Sequence, residues 1–231
     1  MVWVGMLAAG VVALGHPSVP SGLTLLIWLP MLVLGEYFWI PTFGGRATLS
    51  TAMVAHLAAL WLLPAGQATV LAASVSLCAD LWIQRKPLMK SSYNAALLAV
   101  TMRAAAAPVL WLGALDTHPG ILVRCIVFAA MGFTYWAVNR VGVTVIVSLA
   151  DRTAFNHAWR ENFGFGYEIL NTAVELVIAS MMVLLIPIVG PLGQLALGLM
   201  CYYVNDSYSR RNELETLRRR DRERAEPREA A

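Results

Sequence analysis

Eight ionisable side chains interrupt apolar stretches of this sequence: Glu36, His56, Asp80, Arg103, Arg124, Arg140, Glu168 and Glu175. Charge at membrane depth costs at least a few kcal/mol per group, so such residues face a bundle interior and pair there. Two chemistries suit the set. One is structural, with interhelical ion pairs such as Arg103–Glu175 or Asp80–Arg140 holding helices together. The other is a polar chamber that binds a small solute or relays protons. Its candidate lining is Glu36, His56, Asp80, Asn94, Arg103, Asn139 and Glu175. A midplane histidine can simply bond a neighbouring helix. His56 gains chemical interest beside a carboxylate such as Glu36, a juxtaposition that spacing along the chain does not decide. Replacing Asp80 or Arg103 by Leu is expected to strand a buried partner and destabilise the bundle.

The densest polar stretch is Cys78–Ala96, CADLWIQRKPLMKSSYNAA. It sets Asp80 inside an apolar run, follows it with a basic turn (Arg85, Lys86, Lys90), and places Asn94 where the next apolar run begins.

The elements that must position these groups follow from composition. The chain is 58% hydrophobic and 13% charged, with mean hydropathy +0.63, whereas soluble domains carry about 25% charge. Successive apolar runs then read as an all-α, polytopic membrane bundle, since a span needs about 20 apolar residues. Eight runs are expected: Met1–Leu14, Leu23–Ile40, Thr48–Leu63, Ala68–Gln84, Ser92–Leu115, Ile121–Ala150, Tyr167–Val189 and Leu192–Val204. The first has no positive segment before it and reads as a retained span rather than a signal peptide. The sixth is too long for one upright span, so it tilts, protrudes or breaks at Asn139. Between runs six and seven, DRTAFNHAWRENFGFG is polar and aromatic, as suits a membrane interface.

Charge distribution orients these spans. Arg46, the trio Arg85, Lys86 and Lys90, and the pair Arg152 and Arg160 all fall in loops on the side of the charged tail. The opposite loops, near residues 15–22, 64–67, 115–120 and 190–191, hold no Lys or Arg. The positive-inside rule therefore predicts both termini in the cytoplasm. Two regions follow, an integral membrane bundle (1–205) and a charged cytoplasmic tail (206–231). The tail's alternating Arg and Glu suit a solvated helix that meets lipid headgroups or docks a partner.

Several function classes lack their signatures. There is no HExxH, GxSxG or P-loop, and the GxG at Gly164 and Gly166 has Ile169 where a third glycine would stand. No catalytic residue, metal ligand or cofactor is assigned. Cys78, Cys125 and Cys201 stand singly in apolar runs and suggest neither a disulfide frame nor a zinc site. The basic residues accompany no nucleic-acid motif, so no nucleic-acid partner is expected.

Residues beyond composition carry a resemblance. Glu36 precedes Pro41-x-x-Gly44-Gly45-x-x-Thr48-Leu49-Ser50. Then come Ala79-Asp80, Arg85-Lys86-Pro87, Lys90, Tyr93-Asn94-Ala95-Ala96, Asn139 and Trp159-Arg160-Glu161-Asn162-Phe163. Over residues 20–210 the chain resembles the multi-span sensory domains that precede diguanylate cyclase or HD-type phosphodiesterase domains in bacterial signalling proteins. The resemblance implies a bacterial inner (plasma) membrane and a non-enzymatic sensor or scaffold. Here the output domain is missing, which implies a partner protein reached through the tail. A second likeness, to the substrate-binding membrane subunits of vitamin transporters, implies a small-solute binding or transport subunit. An intramembrane enzyme is the third reading.

Overall fold

The computed structural model describes residues 2–14, 21–37, 39–41, 48–50, 52–115, 120–163, 172–184, 188 and 217. In chain order these form α1 (Val2–Leu14), α2 (Gly22–Tyr37), the strands β1 (Trp39–Pro41) and β2 (Thr48–Ser50), and α3 (Ala52–Leu62). There follow α4 (Ala65–Cys78, prolonged by a π-helical turn over Ala79–Ile83), α5 (Leu88–Leu115), α6 (Ile121–Asp151), α7 (Phe155–Asn162) and α8 (Thr172–Leu184). Three helical stretches, Ala65–Ile83, Leu88–Leu112 and Ile121–Asp151, are long and apolar enough to cross a membrane. α1, α2, α3 and α8 are apolar but shorter. The protein is a mainly helical membrane protein. The expected eighth run and nearly all of the charged tail lie outside the described residues.

Two expectations about elements change. The second run stops being helical at Tyr37, and the chain instead pairs Trp39 with Ser50, Ile40 with Leu49 and Pro41 with Thr48 as an antiparallel hairpin. Trp, Ile and Thr favour extended backbone, and Pro41 has no N–H for a helical bond. Among the described residues the all-α expectation therefore holds apart from this small hairpin. The sixth run does not break at Asn139. α6 is one helix of 31 residues, about 46 Å at 1.5 Å per residue.

The core forms where α2 to α6 and α8 converge, around Leu32, Leu57, Ala58, Ala72, Met102, Met131 and Ala179. α3 lies at its centre, with every residue from Ala52 to Leu60 buried. A helix apolar and buried all round is an interior element. Small residues let the helices approach closely, as membrane bundles require. A Cβ on Gly10 of α1 would lie 2.7 Å from the Ala96 Cβ of α5, and one on Gly35 of α2 would lie 3.0 Å from the Ala52 Cα of α3. Leu97 and Leu176 fill the spaces left by Gly142 and Gly132 on α6.

At its far end α6 stops on Arg152, whose left-handed backbone (φ 54°) turns the chain. α7 then packs against α6. Trp159 meets Trp136 edge-on at 6.2 Å and Phe163 at 5.5 Å, and the Arg140 guanidinium lies 4.6 Å above the Phe163 ring. The expected interfacial segment is thus a short helix fixed by aromatic contacts.

Candidate functional site

Asp80 sits in the widened final turn of α4, where the Gln84 N–H reaches back five residues to the Ala79 carbonyl. Arg85 follows in a left-handed conformation (φ 52°), and the Lys86 N–H bonds the Asp80 carbonyl at 2.8 Å. This turn folds the basic loop back over the helix end. The Lys86 ammonium donates to Asp80 Oδ1, and the Asn94 amide, two turns into α5, donates to Asp80 Oδ2 at 2.7 Å. Both carboxylate oxygens are held, although the Asp80 side chain is only 2% exposed. The partner of Asp80 is therefore Lys86, not Arg140. Charge-assisted bonds of this kind are short and strong.

A second group lies between α2, α3 and α6. The fully buried His56 ring places Nδ1 2.7 Å from the Tyr135 hydroxyl and Nε2 3.7 Å from Glu36 Oε1. At 3.7 Å the second contact is not a hydrogen bond, and His56 Nε2 has no hydrogen-bond partner among the described residues. The Ser76 hydroxyl of α4 lies in hydrogen-bonding range of the Glu36 carboxyl, which also feels Asp80 and Lys86 electrostatically. Tyr135 in turn feels Glu175 and Arg140 as well as Glu36. Glu36, His56 and Tyr135 thus form a row of polar groups inside the bundle, with His56 at its centre and the Asp80–Lys86 turn within electrostatic reach.

The remaining candidates sort around this row. Glu175 is buried on α8 within electrostatic reach of Tyr135. Asn139 is half-buried on α6, and Arg140 beside it carries the Phe163 contact. Arg124 is exposed in the first turn of α6. Glu168 lies outside the described residues. Arg103 is exposed on α5, and among the described residues no carboxylate pairs with it, so the expected Arg103–Glu175 pair is not formed. The structure therefore brings together Asp80 with Asn94 and Glu36 with His56, and sets Arg103 apart.

Three contributors escaped the sequence reading: Tyr135, Ser76 and Lys86 in its role as a partner. Tyr135 carried the one usable signal, because a phenol within an apolar run needs a partner for its hydroxyl. Of the other buried hydroxyls, Thr69 bonds the Ala65 carbonyl, Ser91 the Pro87 carbonyl and Thr144 the Arg140 carbonyl, Tyr93 bonds the Gly142 carbonyl of α6, and Thr101 has no partner among the described residues. These take no part in the site. Among the described residues no three His, Cys, Asp or Glu side chains gather as metal ligands would. No family model, curated protein or solved structure matches the chain.

Proposed function

We propose that this chain is a non-catalytic sensor module of a bacterial inner membrane, an eight-span bundle with both termini in the cytoplasm. Its polar row takes up a small polar solute, and a partner protein reads the resulting change in helix packing through the cytoplasmic tail. One observation carries the reading: His56 Nε2 is buried without a hydrogen bond among the described residues, facing a carboxylate 3.7 Å away. A buried polar atom left unsatisfied is costly. One oxygen or nitrogen about 2.8 Å from both atoms would satisfy Nε2 and bond Glu36 at once. A hydroxyl, an amine or a water supplies such an atom. Because Glu36, His56 and Tyr135 come from three helices, occupancy of that point draws the helices together, as a sensor requires.

The test is retention of a solute by protein purified into nanodiscs, read by native mass spectrometry, with His56→Leu and Glu36→Gln as controls. Wild type should keep a small solute that His56→Leu loses, and deletion of residues 207–231 should silence signalling without releasing it. An empty wild-type preparation, with no thermal shift across a metabolite panel, would overturn the site. Accumulation of the solute inside vesicles would favour the alternative reading, a small-solute transport subunit, whose support is the electrostatic reach between the Asp80–Lys86 turn and the row Glu36, His56 and Tyr135.

A further inference from the structure

Arg103 lies deep in the membrane-spanning stretch Leu88–Leu112 and is exposed. It stands fifteen residues from one end of that stretch and nine from the other, about 22 Å and 14 Å along the helix. Those lengths exceed what an arginine stem covers by snorkelling. A guanidinium in hydrocarbon needs a counter-charge, and among the described residues none is within its reach. Its surroundings point outward too. Ala107, Leu110 and Trp111 follow on the same helical stripe, and all three are exposed, Leu110 at 58% and Trp111 at 67%. Ala107, one turn beyond the cation, lets another helix approach the backbone closely. Pro108 has no N–H to give the Ala104 carbonyl, so the same turn also offers an acceptor.

We infer that the Arg103–Ala107–Trp111 face of α5 is the docking surface for a transmembrane helix of a different protein, one that carries a carboxylate at mid-depth. Charge complementarity selects the occupant. A second copy docked through this face by two-fold symmetry would set Arg103 against itself. The chain's described acids cannot answer it either: Glu36, Asp80 and Glu175 are buried, Asp151 is the last residue of the stretch Ile121–Asp151, and Glu161 is exposed on α7 beyond it. Such a helix is the partner that the sensor reading calls for, yet the two rest on different measurements. His56→Leu, which empties the solute site, leaves docking at Arg103 intact.

The experiment uses the full chain in its native membranes with a photoreactive benzoylphenylalanine at position 107, and the same probe at position 141 on α6 as a control. The expected adduct at position 107 joins a second membrane protein whose captured span contains Asp or Glu. Arg103→Leu lowers its yield at least tenfold, and Arg103→Lys holds it within about threefold. Combining Arg103→Glu with an Arg in place of the partner's acid restores it. Adducts with lipid alone, with a second copy, with residues 164–231 of the same chain, or with a span lacking an acid overturn the inference. So does a yield that Arg103→Leu leaves unchanged. If Arg103→Leu unfolds the purified chain, its counter-charge lies within this protein and the inference fails.

Discussion

Removing either end of the Asp80–Lys86 pair should have unequal consequences, because the two groups are unequally buried. The Asp80 side chain is 2% exposed and that of Lys86 is 17%. In Asp80→Leu the ammonium keeps a path to the membrane surface, so the loss is mainly the two charge-assisted bonds from Lys86 and Asn94, about 2–3 kcal/mol after rehydration. In Lys86→Met the carboxylate stays buried with only the Asn94 amide, and an uncompensated buried charge costs about 3–5 kcal/mol. The double variant strands no charge, so it should cost no more than Lys86→Met alone, a coupling of about 2–3 kcal/mol. Reversible unfolding by SDS titration in mixed micelles, followed by far-UV circular dichroism, measures all four corners of this cycle. If Asp80→Leu proves the costlier single change, or the two costs add within about 0.5 kcal/mol, the turn is not an ion-pair lock.

Further outcomes test other parts of the structure. Gly10→Ala forces a methyl to 2.7 Å from the Ala96 Cβ and 2.9 Å from its Cα, where no flexible side chain can yield, so it should cost about 1–3 kcal/mol. Gly5→Ala meets nothing within 4 Å and should be neutral in the same titration. Tyr135→Phe removes the 2.7 Å bond to His56 and leaves that ring nitrogen buried and unbonded, a loss of about 1–3 kcal/mol. The imidazole nitrogen shifts of selectively labelled His56 should move in that variant and stay put in Tyr93→Phe. Trp159→Ala deletes the contacts to Trp136, Phe155 and Phe163. It should raise hydrogen exchange in α7 well before it lowers the global unfolding midpoint.

What the sequence disclosed depended on how far apart the partners lie. Asp80, Lys86 and Asn94 fall within fifteen residues across one turn, and Cys78–Ala96 stood out as the densest polar stretch for that reason. His56 and Tyr135 are 79 positions apart, and nothing local to either names the other. The depth of Arg103 could be read from its apolar surroundings. Its direction could not, because α5 is apolar nearly all round and no stripe of polar residues marks an outer face. The end of α2 was misplaced by three residues because Trp39 and Ile40 extend the apolar run without extending the helix. The Pro41 and Gly44-Gly45 punctuation held the hairpin signal.

α3 is buried from Ala52 to Leu60 and, at 11 residues, falls well short of the roughly 20 needed to bridge the hydrocarbon alone. It cannot enter the bilayer as a self-sufficient stem during synthesis. Its neighbours have to be laterally released first and then close around it. Assembly of the protein is in this way gated by a late enclosure step, and the imidazole carried on that stem reaches its final surroundings only when the last wall arrives.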